Sequence, residues 1–336
     1  MKLKRGIFHF SVPICVTGFA AVAGETEEKG PLKNYFDRIL KGDMFGEKSF
    51  EKAESKMQQI AVIKAMQKAQ LTADELDVVF AGDLLNQCIG TNYNLRELQI
   101  PFVGLYGACS TMAESLLVAS VFISSLQVKK TVCVTSSHFC AAERQFRFPL
   151  EYGGQRPLSS QWTATAAGAV VLEQGRKTNV FVKSCCVGKI LDFGVKDINN
   201  MGAAMAPAAA DTIVRFFEET NTNENNYDLI LTGDLGLIGS KALKELVLKK
   251  GYNLETKHND CGLMLYDFNI QDVHSGGSGA GCSAAVLAAK ILKDLEQSSL
   301  KDVLFVATGA LMSTTANQQG ETIPAVAHLV YFKRGD

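Results

Sequence analysis

The sequence predicts an α/β protein made of two similar halves, each built around a mostly parallel mixed sheet. The first observation is a repeated apolar run that ends in Gly-Asp-Leu, at 78–84 and again at 229–235. Such a run is typical of a strand buried on both faces. The second is a turn containing a cysteine, Cys109 in one case and Cys282 in the other, which opens a segment rich in Ala, Ser and Leu. Each segment has the composition of a buried helix.

The third observation is that each helical segment leads into another apolar run, 131–135 in the first case and 303–308 in the second. Strands that alternate with helices indicate a parallel sheet with helical cover. The same order occurring twice favours an internal duplication. We expect the halves to divide near residue 175, into 1–175 and 176–336.

Two apolar segments raise the question of export or membrane insertion. Within 2–24, basic residues precede an apolar stretch, as in a secretory signal. Polar residues and Pro13 interrupt that stretch, which predicts a buried strand near 14–20 and a chain that is not secreted. The segment 101–128 contains a Gly, Ser and Thr cluster. It predicts a strand, a turn and a buried helix, and no transmembrane segment.

The composition excludes several classes of protein. Hydrophobic residues make up 47% of the 336 residues and charged residues 21%, which excludes a disordered or collagen-like chain. The net charge of −1 provides no broad field for nucleic acid or an anionic bilayer, so no nucleic-acid partner is expected. The nine cysteines lack the spacing of a disulfide framework, which predicts buried thiols in a reducing compartment.

Cys109 is the first candidate for chemistry. It lies at a glycine-containing turn between a predicted strand, 100–105, and the start of a predicted helix. The unpaired N–H groups of a helix start lower the pKa of a thiol. The backbone there, including Ser110, is suited to donate hydrogen bonds to a carbonyl or carboxylate oxygen. A structural buried thiol is the alternative interpretation, because eight other cysteines are present.

A second group of candidates follows the predicted strand 131–135. His138 comes directly after its end, and Arg144 and Arg147 lie three residues apart in the segment beyond. Ligands bind at the carboxyl ends of parallel strands, and guanidinium groups suit planar carboxylates. A solvated or subunit-facing loop is the alternative for these arginines.

A glycine-rich turn, 276–281, precedes the second cysteine helix, and its N–H groups predict an anion nest. No Gly-Lys-Ser or Gly-Lys-Thr closes the turn, so it is not a nucleotide-binding loop of the Walker type. His258 and Cys261 have the spacing of a metal-ligand pair, but a second pair is missing. We therefore expect no metal site and no cofactor.

The duplicated halves and the Gly-Ala-Cys-Ser turn resemble the thiolase and ketoacyl synthase superfamily. Longer strings resemble the stage V sporulation protein AD family much more closely, over about residues 31 to 328. These strings are AGDLLNQ (81–87), TSSH (135–138), AERQFR (142–147), EYGGQ (151–155), AMAPAAADT (204–212), KHNDCGLM (257–264) and VATGAL (306–311).

The superfamily resemblance implies a thiolase-like, five-layer αβαβα fold. The family resemblance implies binding of dipicolinic acid (pyridine-2,6-dicarboxylate), as the acid or its calcium chelate, and its uptake into the forespore during sporulation. It also implies a peripheral subunit on the forespore or spore inner membrane, beside other stage V sporulation A membrane proteins. Related domains pair through a sheet strand, here expected to be 131–135, so a homodimer is expected in isolation.

Residue by residue, Cys109 matches the superfamily nucleophile, but Asp234 stands where a ketoacyl synthase has a histidine. The next catalytic partner aligns near Gly276, with His274 only adjacent to it. A carboxylate repels the negative charge that develops during condensation. The residue at 234 therefore disfavours condensation, and the family resemblance implies a non-catalytic binder of an aromatic dicarboxylate. A Cys109-dependent acyl transferase and a scaffold with a vestigial pocket are the alternatives.

The predicted ligand site brings both groups of candidates together near Cys109, with Asp234 among its residues. One carboxylate of the ligand is expected at backbone N–H groups, and the other at a cationic side chain. The backbone candidates are Cys109, Ser110, Gly276, Gly277, Ser278 and Gly309, and the cationic candidates are His138, Arg144 and Arg147.

Overall fold

The computed structural model describes residues 5–146, 156–175 and 178–335. The strands in chain order are β1 (Ile7–Ala23), β2 (Arg38–Ile39), β3 (Val78–Gly82), β4 (Phe102–Gly104), β5 (Lys130–Ser137), β6 (Trp162–Thr163), β7 (Ala166–Gln174), β8 (Val180–Cys186), β9 (Leu229–Thr232), β10 (His258–Asp260), β11 (Gly277–Ser278), β12 (Asp302–Ala310) and β13 (Ala325–Arg334).

The helices alternate with these strands along much of the chain. They are α1 (Glu25–Glu28), α2 (Phe50–Ala69), α3 (Ile89–Leu98), α4 (Thr111–Ser124), α5 (Phe139–Phe146), α6 (Met201–Thr220), α7 (Gly236–Leu248), α8 (Cys261–Met264), α9 (Ala280–Val286), α10 (Leu292–Glu296) and α11 (Thr314–Gln318). A π-helical turn at Leu287–Ile291 joins α9 to α10, and a 3₁₀ turn at Ala108–Ser110 leads into α4.

The two halves have the same strand order, which confirms the α/β architecture and its repetition. In the first half the order is β4-β3-β5-β7-β1, and in the second it is β10-β9-β12-β13-β8. In each half the first three strands are parallel to one another, and the fourth is antiparallel to both of its neighbours. Four strands of each five therefore run in one direction. Antiparallel pairing of β1 with β8 joins the halves.

Helices on both sides of the sheets give the five layers. Helix α2 packs outside β1 and β7, and α6 packs outside β12 and β13, while α4 contacts strands of both halves. Three apolar clusters follow this arrangement: a central one around α4 and α9, and one beneath each outer helix layer. Because side chains of a doubly covered sheet are buried on both faces, the strands have near-continuous apolar sequences.

Most predicted strands are confirmed in position. Residues 14–20 lie inside β1, 131–135 inside β5 and 303–308 inside β12. The expected pairing strand for a dimer is wrong, however, because β5 is hydrogen-bonded by β3 on one side and β7 on the other. The exposed edge of the first half is β4. In the part of the chain that the structure describes, no helix combines the length and the apolar character needed to cross a membrane.

Candidate functional site

A cavity of about 290 Å³ opens beside Cys109, at the junction of the two halves. The first half supplies the end of β3, the turn before α4, and one face of α5, and the second half supplies α6, β11 and the segment after β12. The lining residues are Leu84, Tyr106, Ala108, Cys109, Ala142, Glu143, Phe146, Thr163, Met201, Ser278, Ala310, Leu311 and Met312. The walls are mainly apolar with a few polar groups, as is usual for a small-molecule site.

Cys109 lies in the 3₁₀ turn that precedes α4, with 6% of its surface exposed. The Asp234 carboxylate is its charged neighbour, and Ser278, whose hydroxyl donates to that carboxylate, lines the cavity with Cys109. Burial, together with the negative charge of Asp234, raises the pKa of the Cys109 thiol well above its ordinary value. The expectation that the helix start would lower this pKa is therefore wrong, because burial and a neighbouring carboxylate outweigh the partial charge of the backbone.

Asp234 follows β9 and is fully buried. Its Oδ1 accepts a hydrogen bond from the Thr308 hydroxyl at 2.8 Å. Its Oδ2 accepts hydrogen bonds from the Ser278 hydroxyl at 3.1 Å and from the Gly279 N–H at 2.9 Å. Burial raises the pKa of Asp234, although these hydrogen bonds act in the opposite direction. The Asp234 carboxylate thus occupies the Ser278 hydroxyl and the Gly279 N–H, two donors of the turn that was predicted to bind a ligand.

The other backbone groups of the predicted anion nest are also engaged. The Gly276 N–H donates to the Val273 carbonyl at 2.9 Å, and the Gly277 carbonyl accepts from the Gln161 side chain at 2.7 Å. Gly276 has a φ of +111°, which favours glycine. These glycines therefore shape the turn, and of the three predicted residues 276–278 only Ser278 lines the cavity.

Ser110 and Gly309 support the Cys109 turn and are not part of the cavity lining. The N–H and the hydroxyl of Ser110 both donate to the Gly107 carbonyl, at 3.1 and 2.6 Å. A Cβ atom on Gly309 would lie 2.5 Å from that same carbonyl oxygen. Glycine is thus required at 309 by the close approach of β12 to the turn.

Two of the predicted cationic residues, His138 and Arg144, do not line the cavity. The His138 Nε2 lies 2.7 Å from the Asp43 carbonyl oxygen, and the ring packs against Phe45 and Phe50. Burial lowers the pKa of His138. Arg144 forms an ion pair with Glu51, and its guanidinium lies 5.6 Å from the ring centre of Phe50. The structure therefore places neither residue in the cavity wall, and a role of either in binding a ligand stays a prediction.

Arg147 lies outside the described residues, so its role stays a prediction.

Sequence analysis missed Glu143, which lies in the cavity wall and accepts a hydrogen bond from the Thr163 hydroxyl at 2.9 Å. Helix α5 turns Ala142, Glu143 and Phe146 toward the cavity and Arg144 toward α2. Phe146 is four residues from Ala142 and three from Glu143, the two spacings that bring side chains together on one face of a helix. A helix predicted over 139–146 would have placed the side chains of Glu143 and Arg144 on different sides.

Comparison with known proteins assigns the chain to a family. The family model described as stage V sporulation protein AD matches residues 5–333. A protein of Bacillus subtilis (strain 168) named stage V sporulation protein AD is 46% identical over 335 residues, which covers 99% of this chain and 98% of that protein. The chain belongs to the stage V sporulation protein AD family. The family resemblance found in the sequence is thereby confirmed.

Solved structures with the same fold confirm the thiolase-like architecture. Xanthomonas campestris OleA superposes with a TM-score of 0.64 at 11% identity, covering 97% of this chain and 99% of that chain. 3-Oxoacyl-[acyl-carrier-protein] synthase III from Aquifex aeolicus VF5 superposes with a TM-score of 0.56 at 12% identity, covering 96% and 100%. At such identities the likeness shows the fold alone.

No histidine lines the cavity of this family member, and all five histidines lie in the described part of the chain. His258 forms a hydrogen bond of 2.8 Å with the Thr232 hydroxyl, and burial lowers its pKa to about 4. His274 lies 2.8 Å from Asp272. The neighbour of the Cys109 thiol is therefore a carboxylate. Activation of a cysteine nucleophile instead requires a base that takes up the thiol proton and leaves a thiolate.

Residues 5–146, 156–175 and 178–335 contain no group of three or more His, Cys, Asp or Glu side chains arranged to hold a metal ion.

Proposed function

We propose that this member of the stage V sporulation protein AD family is a non-catalytic binding subunit whose cavity beside Cys109 takes dipicolinic acid. The observation that carries the proposal is the cavity itself: apolar walls, a few polar groups, and a thiol paired with Asp234 in place of an imidazole. The rings of Tyr106 and Phe146 belong to its wall and suit a planar aromatic ligand.

The charge of the cavity bears on the form of the ligand. Dipicolinate carries two carboxylates, yet the carboxylate of Glu143 lines the cavity and that of Asp234 lies behind it. Among the described lining residues there is no Lys, Arg or His. We therefore propose that the ligand enters as its calcium chelate, in which the divalent cation offsets the two carboxylates. Calcium prefers oxygen ligands such as carboxylates, and the Glu143 carboxylate, which accepts a hydrogen bond from the Thr163 hydroxyl, lines the cavity.

Titration calorimetry with and without calcium tests the proposal. We expect dipicolinate with equimolar CaCl₂ to bind, and dipicolinate in EGTA to bind at least tenfold more weakly. Glu143→Gln should weaken binding of the chelate by about tenfold or more, because a charge-assisted contact contributes about 1.5–3 kcal/mol.

Arg144→Ala is the matched control on the same helix, since its side chain pairs with Glu51 outside the cavity. It should leave the affinity within about twofold. Equal binding with and without calcium would contradict the chelate. Absence of binding in every condition would contradict the binding function and favour the scaffold alternative.

We further propose that the subunit acts in uptake of dipicolinic acid at the forespore or spore inner membrane, beside other stage V sporulation A membrane proteins, and that it dimerises in isolation through β4. Phe102 and Val103 of this edge strand are 39% and 38% exposed. An exposed edge strand with apolar side chains is suited to pair with another chain.

Val103→Lys is expected to convert the isolated protein from dimer to monomer, because a buried lysine at a paired edge lacks a partner. Sedimentation velocity at several concentrations measures this. Leu248→Lys, on an exposed site of α7, is the control and should sediment as the wild type does. A wild-type protein that is monomeric throughout would rule out the dimer.

A further inference from the structure

Donors from two separate elements bind the Asp234 carboxylate: the Ser278 hydroxyl and Gly279 N–H before α9, and the Thr308 hydroxyl of β12. Cys109, at the start of α4, is the neighbour of this carboxylate from a third element and shares a cavity wall with Ser278. Convergent N–H and O–H groups at a helix start form an anion-binding arrangement. Here the anion is part of the chain.

The repeated Gly-Asp-Leu motif shows that this placement of Asp234 is specific to the second half. In the first half, the equivalent Asp83 closes its own turn, accepting hydrogen bonds from the Leu85 N–H at 2.8 Å and the Thr91 N–H at 2.7 Å. In the second half, Asp260 performs the corresponding task.

Asp260 accepts from the N–H groups of Leu235 and Gly236, at 2.9 and 3.0 Å, where α7 begins. Asp234 is therefore not needed to close the turn that follows it. Its carboxylate instead crosses to Cys109, a residue of the other half.

We propose that Asp234 is a resident anion that keeps the neighbouring Cys109 thiol neutral and so prevents its use as a nucleophile, an inference that rests on the non-catalytic function proposed above. Forming a thiolate beside this carboxylate would place two negative charges next to each other in a buried site. The ionisable groups around the pair include Asp260, Cys261 and Cys282, and Glu143 and Tyr106 line the cavity with Cys109; all of them are acids. The positioning of Asp234 thus separates this chain from a cysteine-dependent transferase of the same fold.

Alkylation by iodoacetamide measures the reactivity of Cys109 directly. In this reaction the thiolate sulfur attacks the carbon, iodide leaves, and the thiol proton passes to water, so the rate follows the thiolate fraction. Mass spectrometry of proteolytic peptides distinguishes Cys109 from the other cysteines, and Cys109→Ser confirms the assignment.

Asp234→Asn should accelerate alkylation of Cys109 at least tenfold at pH 8 and move the midpoint of its pH profile to lower pH. Asp83→Asn changes the equivalent aspartate of the other half and should leave the rate at Cys109 unchanged. Thermal melting establishes that each variant is folded. Equal rates in the wild type and a folded Asp234→Asn variant would overturn the proposal.

Two further measurements test the proposal without the Asp234→Asn variant. In Asp234→Ala, added sodium acetate should slow alkylation of Cys109, because acetate can occupy the vacated donors; sodium chloride at the same ionic strength is the control. In the wild type, the pH midpoint for Cys109 should lie above that of an ordinary thiol, about 8.5. A wild-type midpoint at or below that value would overturn the proposal without any substitution.

Discussion

Gly168→Ala is expected to destabilise the protein by about 3 kcal/mol or more, through a clash in the central helix layer. Gly168 lies in β7, where the strand passes close to α9. A Cβ atom added there would lie 2.2 Å from the Ala284 carbonyl oxygen and 2.3 Å from its carbon. Both are backbone atoms, so no side-chain rotation relieves the contact, and overpacking of a core costs about 1–3 kcal/mol or more.

Urea unfolding measures this loss, with Gly251→Ala as the matched control. Gly251 has open space around its Cα and a φ of +90°, so alanine there is strained but does not clash, at a cost of about 1–2 kcal/mol. We expect the Gly168 variant to be the less stable of the two. A Gly251→Ala variant that is less stable than Gly168→Ala would contradict the close approach of β7 and α9.

Glu54→Gln is expected to stabilise the protein by about 1–3 kcal/mol at pH 7.5, by removing a buried carboxylate that lacks a full set of partners. Glu54 and Asp83 are both fully buried. The Glu54 Oε1 accepts a hydrogen bond from the Ser136 hydroxyl at 2.9 Å, whereas Oε2 has no partner within the described ranges. Burial, and then the charge of Asp83, raise the pKa of Glu54 well above its ordinary value.

The pH dependence of stability gives the sign of this effect. The folded-state pKa of Glu54 is raised, so the folded protein keeps a proton that the unfolded chain releases above about pH 4.3. Stability from this group is therefore fully present below that pH and is lost as the pH rises toward the folded pKa.

Urea unfolding at pH 5, 6.5 and 8 tests this prediction. The advantage of Glu54→Gln over the wild type should grow along the series, while Glu245→Gln, at an exposed site of α7, should show no such trend. A constant difference at all three pH values would contradict a raised pKa for Glu54.

The sequence by itself determined the strands, their repetition and the family. Apolar runs such as 78–84 and 229–235 predict strands, because a strand that is buried on both faces needs a nearly continuous apolar sequence. Long strings such as 204–212 carried the family resemblance without any structure. The position of Cys109 before a buried helix was predicted for the same reason, since a glycine-containing turn followed by small apolar residues is a local pattern.

Only the tertiary structure decided what the candidate residues contact. Asp83 and Asp234 lie in the same Gly-Asp-Leu motif, but Asp83 hydrogen-bonds the turn that follows it, whereas Asp234 is the neighbour of Cys109. The difference arises because Asp260 hydrogen-bonds the N–H groups at the start of α7. Likewise, Glu143 and Arg144 are neighbours in sequence but lie on different sides of α5. Hydrogen bonding, desolvation and the pKa of a thiol depend on atoms brought together from distant parts of the chain, and a linear pattern does not contain those distances.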